Sequence, residues 1–120
     1  MACRKLNRDE IQIRITVLPE EIPVKGNAIC SGDEDFDQQV EAEILERLAQ
    51  DDLWAWATVS VTAEWEGMEE ANYLGCCCYA NEEEFRQEGG YFDDMVHEVL
   101  SNLNLRLRNL YEKMSGLETD

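Results

Sequence analysis

The longest clean alternation in the chain, Leu53 to Trp65 (LWAWATVSVTAEW), reads as a strand. Side chains on an extended backbone point to opposite faces with a period of two. Leu53, Ala55, Ala57, Val59, Val61, Ala63 and Trp65 fall on one face; Trp54, Trp56, Thr58, Ser60, Thr62 and Glu64 fall on the other. The first set is apolar throughout, and the second turns polar after its tryptophans. That is the pattern of a sheet with one face on a core and one partly solvated. A helix does not fit, because Val59, Val61 and Thr62 are β-branched and the apolar period is two.

The flanking segments extend this sheet. Ile11, Ile13, Ile15 and Val17 alternate with Gln12, Arg14 and Thr16 as a first strand that Pro19 ends. Ala71 to Ala80 (ANYLGCCCYA) returns after a Glu66–Glu70 turn as the hairpin partner, with Tyr73, Gly75, Cys77 and Tyr79 on one face. Between the first and central strands, residues 19–32 have no lasting periodicity, which suits either a functional loop or a chain draped along the sheet. Ser31 or Asp33 caps a helix running to about Gln50, with Val40, Ile44, Leu45 and Leu48 as its apolar stripe. Asn81 with Glu84 marks a short helical turn through Phe85. A last helix starts near Tyr91, carries Phe92, Val96, Val99, Leu103, Leu107, Leu110 and Met114 at helical spacing, and is closed by Gly116. The element order β-α-β-β-α predicts an α+β fold: a three-stranded, mainly antiparallel sheet with helices packed on one face. Residues 11–116 form the single domain, residues 1–10 a flexible arm and residues 117–120 a flexible tail.

Charge is the strongest functional signal. Between Ile15 and Leu105 there are 22 Asp and Glu against three bases, Lys25, Arg47 and Arg86, so the middle is more acidic than the whole chain at −17. Such a field repels nucleic acid and anionic membranes and attracts basic surfaces. A small domain needs a net charge of only about 2–8 in magnitude for solubility. A hydrophobic share of 44% argues against wholesale disorder. No apolar run approaches a membrane span, and MACRKLNRDE lacks an apolar signal core. Five cysteines, an odd number that includes the run Cys76-Cys77-Cys78, do not look like a secreted disulfide framework. A reducing cytoplasm is the expected location.

Four segments, ITVLPEEIPVKGNA (15–28), WAWA (54–57), YLGCCCY (73–79) and GGYFDDM (89–95), resemble a group of small uncharacterised proteins of bacterial phages and mobile elements. That likeness spans most of the chain and carries no site. In size and acidity the chain is also similar to anti-restriction and anti-CRISPR proteins that imitate DNA.

The catalytic inventory is thin. His97 is the one histidine, and the Gly89-Gly90 pair lacks the lysine and spacing of a phosphate loop. Asp94 and His97 stand at i, i+3, half of a carboxylate-bridged metal pair without a second half. Cys76 and Cys78 share a strand face while Cys77 takes the other, so the three suit packing better than a shared ion. No enzyme activity, cofactor or metal is therefore expected. Two acidic groups are the candidate partner-binding residues: Asp33, Glu34, Asp35, Asp37, Glu41, Glu43 and Glu46, then Glu82, Glu83, Glu84, Glu88, Asp93, Asp94 and Glu98. The first spans 14 positions, about 21 Å of helix, over which a DNA strand carries about six phosphates.

Three functions follow. The first is a non-catalytic nucleic-acid mimic that occludes the site of a basic partner, a nuclease or CRISPR effector, without binding nucleic acid or membrane itself. The second is an accessory or assembly protein that dimerises through an aromatic strand face at Trp54 and Trp56, its charge serving solubility. The third is a small metalloenzyme using Asp94, His97 and cysteines.

Overall fold

A computed structural model describes residues 5–87 and 90–118, the last four by backbone alone. The elements are a 3-10 turn (Arg8–Glu10), β1 (Gln12–Pro19), α1 (Glu34–Ala49), a second 3-10 turn (Leu53–Ala55), β2 (Ala57–Trp65), β3 (Met68–Cys77), α2 (Glu82–Phe85) and α3 (Tyr91–Glu118). The strands form one antiparallel sheet in the order β1-β2-β3, so the fold is α+β. Val59, Val61 and Ala63 of central β2 are fully buried beneath Phe92, Met95, Val96, Val99 and Leu103 of α3. The opposite sheet face stays open: Arg14, Thr16 and Leu18 of β1, Ser60 and Thr62 of β2, and Glu69, Ala71 and Tyr73 of β3 line a shallow depression there. Ser60 and Thr62 are buried on this polar face between the flanking strands.

The alternation at Leu53–Trp65 is not all strand. Its first residues make the second 3-10 turn, and β2 begins only at Ala57. The cause lies just upstream, where α1 ends in a Schellman cap. Asp51 takes the left-handed conformation (φ 64°), its N–H reaches Leu48 O at 3.0 Å, and Asp52 N–H reaches Arg47 O at 3.0 Å. The chain leaves that cap coiled, so the two tryptophans diverge instead of sharing a face. Trp54 packs with Tyr79 and Phe85 in the main core, while Trp56 joins Val24, Ile44 and Ala55 in a second cluster under α1.

The hairpin is tighter than the five-residue turn expected from Glu66–Glu70. Trp65 pairs directly with Met68, and Glu66 (φ 48°) with Gly67 (φ 78°) make a two-residue turn with both angles positive. Met68, Glu69 and Glu70 therefore belong to β3. Further on, the register jumps from Val59↔Leu74 to Ala57↔Cys77, a bulge centred on Cys76 at φ 54°. The extra residue moves Cys77 onto the core face of Leu74 and off the face of Tyr73, which is exposed.

Within the expected arm and tail, residues 5–10 and 117–118 are described. Leu6, only 1% exposed, plugs the main core, and the Asn104 side chain clamps its backbone with Leu6 N donating at 2.7 Å and Leu6 O accepting at 3.1 Å. Apolar burial and two hydrogen bonds hold this segment in place. The α3 helix passes Gly116 and runs to Glu118, so residues 117 and 118 are helical backbone. Leu45, expected in the α1 stripe, is exposed; Val40, Ile44 and Leu48 alone face the core. The 19–32 segment is draped over the sheet end, anchored by buried Val24 and by the Trp56 indole donating to Ile22 O at 2.7 Å.

Candidate acidic interface

The first acidic group divides into helix-building and outward-facing carboxylates. Asp33 is the N-cap of α1, accepting from Phe36 N at 3.2 Å. Asp37 ties the preceding loop to the helix, accepting from Ser31 Oγ at 2.6 Å and Ser31 N at 3.2 Å. Glu41 is half-buried beside the apolar stripe. Glu34, Asp35, Glu43 and Glu46 are exposed. At about 100° per residue, Asp35 and Glu46 fall opposite buried Ile44 and Glu43 falls on the flank about 100° from it, so the three spread over an outward arc, a broad ridge about 16 Å long. Over that length a DNA strand sets about five phosphates, so the ridge carries charge at roughly half that density. The even match of seven carboxylates to six phosphates does not survive, because two of the seven are used inside the fold.

What leaves the ridge strongly negative is the placement of Arg47, the one base of α1. Its Nε donates to Asp52 Oδ2 at 2.8 Å and its Nη2 to Tyr79 O at 2.7 Å. A guanidinium held in two directions by charge-assisted bonds does not swing back to screen its neighbours. Nothing in the local sequence marked this role, since Tyr79 lies 32 residues away.

The second group is largely engaged within the chain. Glu82 pairs with Arg86 at 3.2 Å, Asp93 with Arg8 at 3.6 Å, and Glu98 accepts from Asn72 Nδ2 at 2.9 Å. Asn81 caps the helical turn by accepting from Glu84 N at 3.0 Å, while the Glu84 carboxylate reaches past the cap to accept from Ala80 N at 3.2 Å, so only the first half of the expected reciprocal pattern forms. Glu83 and Asp94 are exposed, and Glu88 lies outside the described residues. The two groups ride on different parts of the fold: α1 rests on the Val24–Trp56 cluster, and α2 and α3 rest on the main core around Phe85 and Phe92.

The aromatic strand face is not a surface. Trp56 is 4% exposed, and Trp54 is half-buried with its ring 5.8 Å from Phe85 and 6.4 Å from Tyr79. The 3-10 turn that precedes β2 sends both indoles inward.

The cysteine run sits on the β3 bulge beside Glu20. The Glu20 carboxylate accepts from Cys76 N at 2.8 Å, Thr58 Oγ1 at 2.7 Å and Ile22 N at 3.1 Å, and these donors hold it below the usual carboxylate range. Cys30, Cys76 and Cys78 are exposed free thiols; Cys77 is buried, and burial pushes its thiol up to about 11. Among the described residues no three His, Cys, Asp or Glu side chains come together as a metal site, and Asp94 and His97 both face solvent. No described helix is long and apolar enough to cross a membrane.

Compared with known proteins, the chain shows no match to any family model, curated protein or solved structure. Function is therefore argued from the site itself.

Proposed function

We propose that this is an acidic, non-catalytic binding protein that occupies the nucleic-acid site of a basic partner of the nuclease or CRISPR-effector kind. One observation carries the reading: α1 turns Asp35, Glu43 and Glu46 outward, with Glu34 at its start, while its own arginine is pinned to Asp52 and Tyr79 O. A ridge with half the charge density of a DNA strand does not replace phosphates one for one. It acts through its summed field, drawing a positive groove toward α1 and raising the association rate. The second acidic group adds to that field, with most of its carboxylates already hydrogen-bonded or ion-paired inside the chain. Occlusion of this kind is stoichiometric and involves no turnover.

The test is binding to a panel of nucleases and CRISPR effectors at low and high salt, with duplex DNA as competitor. The quadruple variant Glu34→Gln, Asp35→Asn, Glu43→Gln and Glu46→Gln leaves Asp33 and Asp37 to hold the helix start. Exposed charge pairs contribute about 0.2–1 kcal/mol each, so the four changes together should weaken binding by roughly tenfold or more, mainly through slower association. Salt dependence should become shallower. If the folded variant binds as tightly as the parent, or if DNA fails to compete, the charge serves solubility alone.

A further inference from the structure

The far half of α3 leaves the body of the protein. Up to Leu103, which is fully buried, its apolar stripe is covered by the sheet; Leu107 is half-buried, and Leu110 (47%) and Met114 (55%) are exposed. The steps Leu103, Leu107, Leu110, Met114 alternate four, three and four, so one continuous stripe passes from the core into solvent. The molecule measures 70 × 24 × 23 Å, and a 28-residue helix of about 42 Å accounts for much of that length. The overhang reaches the tip of the β2–β3 hairpin, where Arg106 donates to Glu69 O at 3.0 Å and pairs with Glu70 at 3.8 Å. A lone helical segment of this length is marginal in water unless its apolar side is packed. Its charge is unusual as well: Leu103–Met114 holds Arg106, Arg108 and Lys113 against Glu112 alone, in a chain of net charge −17.

We propose that this overhang pairs with the overhang of a second copy, antiparallel about a twofold axis. A single stripe on both partners is self-complementary, as a twofold interface requires. The direction follows from the fold. The stripe that would face the partner is the one that the sheet covers up to Leu103, so parallel pairing drives the two sheets into each other. Antiparallel pairing places each sheet beyond the other's helix end. Each basic helix end then meets the partner's hairpin tip, where Glu66 stands on the turn beside Glu64 and Glu69, which share Arg14 of their own chain at 3.6 and 3.4 Å and leave the tip net acidic. An acidic tip and a basic end are complementary across such an interface. The dimer uses the end of the molecule carrying α3, whereas the proposed basic partner uses α1, so either reading can fail alone.

Sedimentation equilibrium of the full chain tests it, and the parent should be a dimer. Leu110→Glu with Met114→Glu should raise the dissociation constant at least about a hundredfold, since four apolar side chains lose their contacts. The near-ultraviolet signal of the buried tryptophans should stay unchanged, reporting an intact body. Leu110→Ala with Met114→Ala, a milder pair, should weaken the dimer in the same direction. Glu66→Lys and Lys113→Glu should each weaken it, and together should restore most of the affinity. A monomeric parent, a dimer untouched by the Leu110 and Met114 changes, or charge reversals that fail to compensate would each overturn the proposal.

Discussion

The Glu20 carboxylate accepts three hydrogen bonds from three segments of the chain: its own loop through Ile22 N, β2 through Thr58, and the β3 bulge through Cys76 N. These donors favour the ionised form, so its folded-state pKa lies below that of the unfolded chain. The stabilisation is then fully present above the unfolded carboxylate pKa of about 4.3 and is lost as pH falls through the lower folded value. Glu20→Gln should lower the melting temperature at pH 7 and should flatten the drop in stability between about pH 5 and pH 3. An acid limb of unchanged steepness in the variant would show that the hub holds the bulge through geometry without charge. No sequence pattern pointed to Glu20, because its partners stand 38 and 56 residues away.

At the scale of the element, local sequence fixes where strands and helices lie, and single backbone angles decide how they join. Asp33 and Asn81 were legible as caps because a cap needs only a side-chain oxygen within three residues of the helix amides. The tight turn was not legible from Glu66-Gly67, since glutamate is an unusual residue at a left-handed position. A non-glycine residue there costs about 1–2 kcal/mol, and asparagine tolerates it better. Glu66→Asn should therefore stabilise the protein by roughly 0.5–1 kcal/mol, a rise of a few degrees in a thermal melt. Gly67→Ala should destabilise it by about 1 kcal/mol or more. Opposite signs for the two neighbours are the signature of this turn; equal losses would indicate a different loop.

For the whole molecule, the balance between a small core and a large like charge governs stability. The main core and the Val24–Trp56 cluster both hold against a net charge of −17. Self-repulsion of that size opposes compactness, and salt screens it over a Debye length that falls from about 10 Å at 0.1 M to about 3 Å at 1 M. The melting temperature should rise as sodium chloride is added over that range, where a domain of balanced charge shows little change. A flat or falling response would mean that the ion pairs at Arg8, Arg14, Arg47 and Arg106 outweigh the repulsion.

Sequence alone settled the class of this fold and the seat of its charge. Alternation in Ile13–Val17 and in Val59, Val61 and Ala63, and the helical stripe from Phe92 to Leu103, are local patterns, and each is read within one element. The acidic excess is likewise a property of the residue list. Tertiary structure decided which carboxylates remain available. Asp37 is spent on Ser31 and Glu84 on Ala80, while Asp35, Glu43 and Glu46 stay outside. It also sent the tryptophans inward, because a Schellman cap at Asp51 turned the chain before β2 began. A pattern of spacing fixes the face a side chain takes within its own element; contacts between distant elements fix whether that face meets solvent, core or another charge.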